Sequence, residues 1–328
     1  MILAIETSCD DTCAALVSRE GIAHANVISS QGVHDAFGGV VPEIASRHHL
    51  TQINVVIDDA LARAQVTLDD VTAVAVTQGP GLVGALLVGV ATAKAIAAAR
   101  DLPLIAVDHL QGHVAANFLG PQPLEPPFLC LVASGGHTFL ARVEDHVSFE
   151  VLGATLDDAA GEAFDKGARM LGLPFPGGPH IQRVAEHGDP AAFDFPIASK
   201  VAGLDFSFAG LKTALLYKIR DLGPDAAAAR QADLAASFQH SIVEALARRV
   251  ERGLRETGLE RLAIGGGVAA NAPLRERLES LGVGLRVPPI ELCTDNAAMI
   301  GSAARFIEPL SFADALALDA YATGAQSL

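Results

Sequence analysis

The residues that most plainly could do chemistry are two imidazoles. His109-Leu110-Gln111-Gly112-His113 places them four positions apart. On a helix that spacing puts both on one face, within reach of one metal ion. The apolar strand predicted at 104–107 runs straight into them, and functional groups gather at such strand ends. A zinc-peptidase HExxH motif needs a glutamate after the first histidine, and Leu110 stands there. Two histidines leave a metal short of ligands, so a carboxylate must come from elsewhere, and Asp295 is the candidate. Two plainer readings stay open: two surface histidines on a half-exposed helix, and Thr294-Asp295-Asn296 as an ordinary helix N-cap.

Three glycine turns follow predicted strands: Gly79-Pro80-Gly81, Ser134-Gly135-Gly136 and Gly265-Gly266-Gly267. Glycine lets backbone N–H groups come close to a phosphate, and a following helix N-terminus adds favourable charge. Three such turns in one chain favour a nucleotide or phosphate ligand. None is followed by the Gly-Lys-Ser/Thr of a P-loop, and none is a dinucleotide-binding GxGxxG. Asp10-Asp11, Asp157-Asp158 and Asp165 could hold ribose hydroxyls, hold a metal or accept a proton. Each could equally be a solvated turn residue. His34, His48 and His49 read as structural or surface groups.

The elements that must position these residues alternate between strand and helix, the pattern of an α/β fold. Strands are expected at 2–7, 13–18, 21–29, 71–77 and 104–107, with helices at 43–64 and 83–99. The proline-rich stretch 121–127 reads as a linker. Strands then recur at 128–133, 138–143, 149–155 and 262–264, with helices at 159–171, 232–255 and 294–306. Along 232–255 the apolar residues Leu234, Phe238, Ile242, Leu246, Val250 and Leu254 step by four on one face. Each half opens with an apolar strand, a small polar turn and two more strands before a helix. That repetition predicts two similar domains with a cleft between them.

Composition narrows the classes. The 328 residues suit about two domains. Half are hydrophobic, which excludes disorder as the main state. With 23 basic and 38 acidic residues the net charge is −15, so nucleic acid would be bound weakly without a local basic patch or a partner. No tryptophan and only two tyrosines leave little for an aromatic base-stacking platform. Cys9, Cys13, Cys130 and Cys293 fit neither a disulfide framework nor a zinc finger and read as reduced thiols. Residues 1–6 have no basic stretch ahead of their apolar run and read as a strand, not a signal peptide. The apolar run 83–99 is long enough for a membrane span but contains Lys94 and many small residues, which favours a buried helix.

Together the motifs resemble one family. Ile5-Glu6-Thr7-Ser8-Cys9-Asp10, Gly79-Pro80-Gly81, His109-x-x-x-His113, Ser134-Gly135-Gly136-His137-Thr138 and Gly161-Glu162-Ala163-Phe164-Asp165-Lys166 come first. Pro176-Gly177-Gly178-Pro179, Asp205-Phe206-Ser207-Phe208-Ala209-Gly210-Leu211-Lys212-Thr213, Gly266-Gly267-Val268-Ala269-Ala270-Asn271 and Thr294-Asp295-Asn296-Ala297 follow in the same order. The chain resembles the bacterial tRNA N6-adenosine threonylcarbamoyltransferases of the TsaD type, from its first strand to its last helix.

The resemblance implies the duplicated fold of the actin, hexokinase and Hsp70 ATPase superfamily. One actin-like domain would span 1–125, with a C-terminal helix 294–328 packing back on it, and a second would span 126–293. It implies transfer of a threonylcarbamoyl group from threonylcarbamoyl-AMP to N6 of the adenosine 3′ of the anticodon, in tRNAs reading codons that begin with A. His109, His113 and Asp295 would hold one metal, iron or else zinc. Val132, Ala133, Ser134, Gly135, Gly136, Asp165, Gly178 and Asn271 would bind the adenylate or nucleotide. Partners would be the tRNA, a homologous non-catalytic subunit of the TsaB type and a small ATPase of the TsaE type, in the cytoplasm and without a membrane.

Three positions depart from the family pattern. Asp11 stands where glutamate is common, Ala133 where valine is usual, and Gln182 where an acid is often seen. Asp11 is nonetheless the candidate proton acceptor or orienting group. A basic surface could form around Arg47, Lys200 and Lys212, or come from partners. The competing classes are a metallopeptidase, a sugar or acid kinase of the same superfamily, and a non-enzymatic scaffold. A scaffold is expected to lack the metal ligands that this chain keeps.

Overall fold

Ile2–Glu6 (β1) is apolar at four of five positions and buried throughout, as a central strand covered on both faces must be. Asp11–Val17 (β2) returns antiparallel to it and Ala23–Ser30 (β3) antiparallel again. Pro42–Ala64 (α1) then leads to Ala73–Gly79 (β4), and Val83–Arg100 (α2) to Leu104–Asp108 (β5). Both strands add parallel, giving the sheet order β3-β2-β1-β4-β5. His109–Ala115 (α3) follows β5 directly. This computed structural model describes residues 1–37, 39–197 and 201–322.

The same topology then repeats. Phe128–Ala133 (β6), Thr138–Val143 (β7) and Phe149–Ala154 (β8) are antiparallel neighbours. Ala160–Met170 (α4), Gly177–Ala185 (α5), Ala209–Leu222 (α6), Pro224–Ala229 (α7) and Gln231–Thr257 (α8) come before the next strand. Arg261–Gly265 (β9) pairs parallel with β6. After Ala272–Glu279 (α9), Gly284–Arg286 (β10) pairs parallel with β9. The order is β10-β9-β6-β7-β8. All six apolar residues that step by four along α8 are buried. Each such side chain contributes about 1.5–3 kcal/mol of transfer free energy.

The chain forms two compact units. The first takes Met1–Glu125, Asp145–Val147 and the chain from Thr294 on; the second takes Pro126–Glu144 and Ser148–Cys293. After Ile290–Cys293 (α10), the chain rejoins the first unit as Ala297–Ala304 (α11), which packs on β1 and β2 and against α3. The expected single helix over 294–328 is corrected here. The described part is α11 and a separate Phe312–Ala317 (α12), with Pro309 between them, and residues 323–328 lie outside the described residues. Proline removes a helix donor and disfavours a helical residue before it, so one helix cannot run through.

The apolar run tested as a membrane span is α2, long and apolar enough by composition. One face of it, including Leu86, Val90, Ala93 and Ala97, is buried within the first unit. All four cysteines are free thiols, three buried and Cys9 half-buried.

Candidate metal centre and nucleotide-binding loops

Asp108, the last residue of β5, makes the turn into α3. Its Oδ1 accepts the N–H groups of Leu110 (2.8 Å) and Gln111 (3.2 Å), two donors that a helix start leaves unpaired. The helix this begins turns His109 and His113 to one face, with ring centroids 4.7 Å apart and both side chains buried. Asp295 meets them there. Its Oδ1 lies 3.2 Å from His113 Nε2 and 3.6 Å from His109 Nε2. The three ligand atoms lie within 4.8 Å of one another. The N-cap of α11 is Asn296, whose Oδ1 accepts the Met299 N–H at 3.0 Å. The capping role therefore falls to the next residue and leaves the Asp295 carboxylate to the histidines.

Behind His109 stands Glu6, fully buried at the end of β1. Its Oε2 accepts from His109 Nδ1 (3.0 Å) and from the Thr77 hydroxyl (2.5 Å), and its Oε1 accepts the Ser8 N–H. Since a carboxylate only accepts, Nδ1 carries the proton and Nε2 faces Asp295. Burial opposes a charge on His109, but the Glu6 and Asp295 carboxylates outweigh it and raise its pKa to about 9. Burial likewise opposes charge on Glu6, and the His109 charge and hydrogen bond hold it below the usual carboxylate value.

This donor set fits a metal ion. Two imidazole nitrogens and a carboxylate oxygen converge, and Glu6 behind one imidazole is the outer carboxylate that commonly orients a metal-bound histidine. His113 gives the sharper test. Although the side chain is buried, its Nδ1 has no hydrogen-bond partner among the described residues, and its Nε2 lies 3.2 Å from Asp295 Oδ1 without hydrogen-bond geometry. An unpaired buried polar group costs about 1–3 kcal/mol, which coordination at Nε2 would offset.

In the second unit, β6 carries Val132 and Ala133, both buried, into the Ser134-Gly135-Gly136 turn. Ser134 closes it: its N–H donates to His137 O (2.8 Å) and its Oγ accepts the His137 N–H (3.1 Å). Gly266 packs against this turn with φ +84°, and a Cβ there would lie 2.3 Å from Ala133 O, so only glycine fits. The Gly161 N–H in the first turn of α4 donates to Ser134 O at 3.0 Å. Gly135 and Gly136 have open space around them.

Helix α5 ties the other expected ligands together. Asp165 accepts the Gly177 N–H at its start (2.6 Å), and Gly178 in its first turn faces open space. One turn on, Gln182 Oε1 accepts from Asn271 Nδ2 (3.1 Å) and from the Ala272 N–H (3.0 Å). Asn271 also donates to Gln239 (2.9 Å) and caps α9 through the Leu274 N–H (3.0 Å).

The sequence profile of the tRNA N6-adenosine threonylcarbamoyltransferases, TsaD, matches residues 22–302. A Clostridium perfringens (strain SM101 / Type A) protein of that name is 51% identical over 312 residues, covering 93% of this chain and 92% of its own. A Clostridium botulinum (strain 657 / Type Ba4) protein of the same name is 50% identical over 311 residues, with the same coverage. The chain belongs to the TsaD family. Among solved structures it is similar to component A of the Acidaminococcus fermentans (R)-2-hydroxyglutaryl-CoA dehydratase, with TM-score 0.57 and 16% identity over 93% of this chain and 96% of that one. It is also similar to the ROK hexokinase of Thermus thermophilus, with TM-score 0.50 and 13% identity at the same coverage. Those likenesses show the fold, the duplicated α/β architecture of the actin and hexokinase type.

Against that TsaD frame several other residues turn structural. Asp157 caps α6 from outside, accepting the Phe208 (2.7 Å) and Ala209 (3.2 Å) N–H groups. Asp158 pairs with Lys166 (2.8 Å) and with Lys212, and Arg47 pairs with Glu43 (2.9 Å). Arg47 and Lys212 are therefore each matched by an acid, and Lys200 lies outside the described residues. His49 Nε2 donates to Cys9 O (3.0 Å) and His34 Nε2 to Gln31 (2.9 Å), both as buried braces.

Asp11 opens β2 opposite Ser30. Burial pushes its pKa up to about 7, against a lowering hydrogen bond from Ser30, and the Asp295, Asp10 and Glu6 charges add to the rise. Glu6, in hydrogen-bond contact with the candidate ligand His109, is a site residue that spacing alone does not single out. Its signal is a lone acid ending an otherwise apolar, fully buried strand.

Proposed function

We infer that this TsaD-family chain transfers the threonylcarbamoyl group from threonylcarbamoyl-AMP to N6 of the adenosine 3′ of the anticodon, in tRNAs reading codons that begin with A. The observation carrying this is the 51% identity over 93% of the chain, together with two histidines and an aspartate converging on one point. In the reaction N6 attacks the carbamoyl carbon, a C–N bond forms, the bond from that carbon to the phosphate oxygen breaks, and AMP leaves. The N6 amine loses one proton.

His109, His113 and Asp295 would hold one divalent metal, iron in preference to zinc, with Glu6 fixing the His109 ring. When bound, the ion supplies Lewis-acid polarisation of substrate oxygens. The N–H groups of Gly135 and Gly136 would hold the phosphate, and Asp165, Gly178 and Asn271 the rest of the adenylate. N6 of adenosine is a weak nucleophile, so positioning and carbonyl polarisation must supply much of the acceleration. Asp11 would accept the N6 proton, and a carboxyl titrating near neutrality suits that task. The target base is reachable because it lies in a tRNA loop.

A net charge of −15, with Arg47 and Lys212 each paired to an acid, supports tRNA binding helped by partners, and membership of the TsaD family favours subunits of the TsaB and TsaE types, in the cytoplasm, for that part. A peptidase reading is disfavoured by Leu110, which cannot serve as a base. The test is reconstitution of the chain with those partners, threonylcarbamoyl-AMP and unmodified tRNA, read by mass spectrometry of digested nucleosides. Threonylcarbamoyladenosine should form, and should be lost with His109→Ala/His113→Ala. No product with active partners would reject the transferase reading.

A further inference from the structure

The C-terminal segment 316–322 lies across the first unit as a strap. Lys94 Nζ on α2 donates to Leu316 O (2.7 Å) and Leu318 O (3.0 Å). Gln78 Nε2 donates to Asp319 O (3.0 Å), the Tyr321 N–H donates to Gln78 O (3.2 Å), and Ala322 bridges to Gly81. The tyrosine seats on Gly79, where a Cβ would lie 2.5 Å from Tyr321 O and under 3 Å from its ring. Only a glycine admits that approach. The Tyr321 hydroxyl then donates to Asp108 Oδ2, within 2.9 Å of Gly79 O.

Asp108 links the strap to the helix that carries the histidines. One of its oxygens takes the tyrosine; the other accepts the Leu110 and Gln111 N–H groups in the first turn of α3. That helix has seven residues and opens on His109. A helix so short has little stability of its own, so its orientation rests on its cap and packing. We propose that Tyr321 is a positioning residue for the metal centre, fixing through Asp108 the helix that presents His109 and His113. The Gly79-Pro80-Gly81 turn is thus a seat for the strap, not a phosphate loop.

This rests on the metal reading above, and the test separates the two. Zinc(II) alone is titrated against a chromophoric chelator competitor into wild type, Tyr321→Phe and Gly79→Ala, each as the full chain. Replacing an outer partner of a metal ligand typically costs ten- to a hundredfold; one layer further out, about three- to tenfold weaker zinc binding is expected for Tyr321→Phe. Its metal-free melting temperature should stay within about 2 °C of wild type, the scale of a sub-kilocalorie change. Gly79→Ala, which displaces the tyrosine, should weaken zinc at least as much. Combining Tyr321→Phe with Asp108→Asn should weaken zinc no further than Asp108→Asn alone, because the two act in series. Unchanged zinc affinity in Tyr321→Phe, or a lowered melting temperature with affinity intact, overturns the proposal and leaves the metal reading standing. A wild type that binds neither zinc(II) nor, under anaerobic conditions, iron(II) overturns both.

Discussion

Glu6 Oε2 lies 3.0 Å from His109 Nδ1, between two residues more than a hundred positions apart, and both side chains are buried. The carboxylate fixes which ring nitrogen faces Asp295. Glu6→Gln removes that charge and offers an amide that competes as a donor. Metal affinity should fall about ten- to a hundredfold, the usual cost of an outer carboxylate. Zinc titration by calorimetry checks it; an unchanged affinity would make Glu6 a purely structural residue.

That relationship also marks where sequence reasoning stops. The histidine pair and the four-residue stepping of α8 are local patterns, and a helix converts them directly into faces. Asp295 was reachable because a metal with two imidazoles needs a further ligand. Glu6 was not, because nothing along the chain couples β1 to the strand end 103 residues later. Three-residue β10 is too short to show alternation, and α5 begins at Gly177-Gly178-Pro179, which reads as a turn. The strap 316–322 carries no motif at all; its signal is the room that Gly79 leaves.

Asp157 and Asp165 both accept N–H groups at helix starts, Asp157 at α6 and Asp165 at α5, and the proposed adenylate site is what separates them. Asp157→Ala removes an outside cap from α6 and should cost about 1 kcal/mol of stability, as cap losses do. Its effect on adenylate binding should be negligible. Asp165→Asn should do the reverse, weakening AMP binding while leaving the unfolding midpoint in urea close to wild type. Paired urea melts and AMP titrations decide it; equal effects on both readouts would erase the distinction.

Asp11 gives the pH dependence. Its folded pKa of about 7 lies above the unfolded value of 3.8. The folded state therefore holds the proton more tightly, so its stabilising contribution is complete below about pH 4 and is lost as pH rises through 7. Wild type should lose stability relative to Asp11→Asn across that window. As proton acceptor the residue must be ionised, so the transfer rate should rise through about pH 7 in wild type, and Asp11→Asn should lack that limb. Denaturant midpoints and single-turnover rates from pH 4 to 8 test both arms. A rate profile shared by wild type and Asp11→Asn would remove Asp11 from the proton transfer.

The family resemblance expects an acid where Gln182 stands, and the contacts of Gln182 say what the position uses. Oε1 accepts from both Asn271 Nδ2 and the Ala272 N–H, so the need is for an acceptor rather than a charge. Gln182→Glu keeps that acceptor and should bind AMP within about twofold of wild type. Gln182→Ala removes one acceptor from Asn271 Nδ2, leaving that amide to Gln239. Losing one such hydrogen bond is worth about 1 kcal/mol, or roughly fivefold in the AMP dissociation constant. The loss should appear in KM for threonylcarbamoyl-AMP and not in kcat if Gln182 acts by holding Asn271, the residue proposed to bind the adenylate. A fall in kcat at unchanged KM would instead put Gln182 in the transition state.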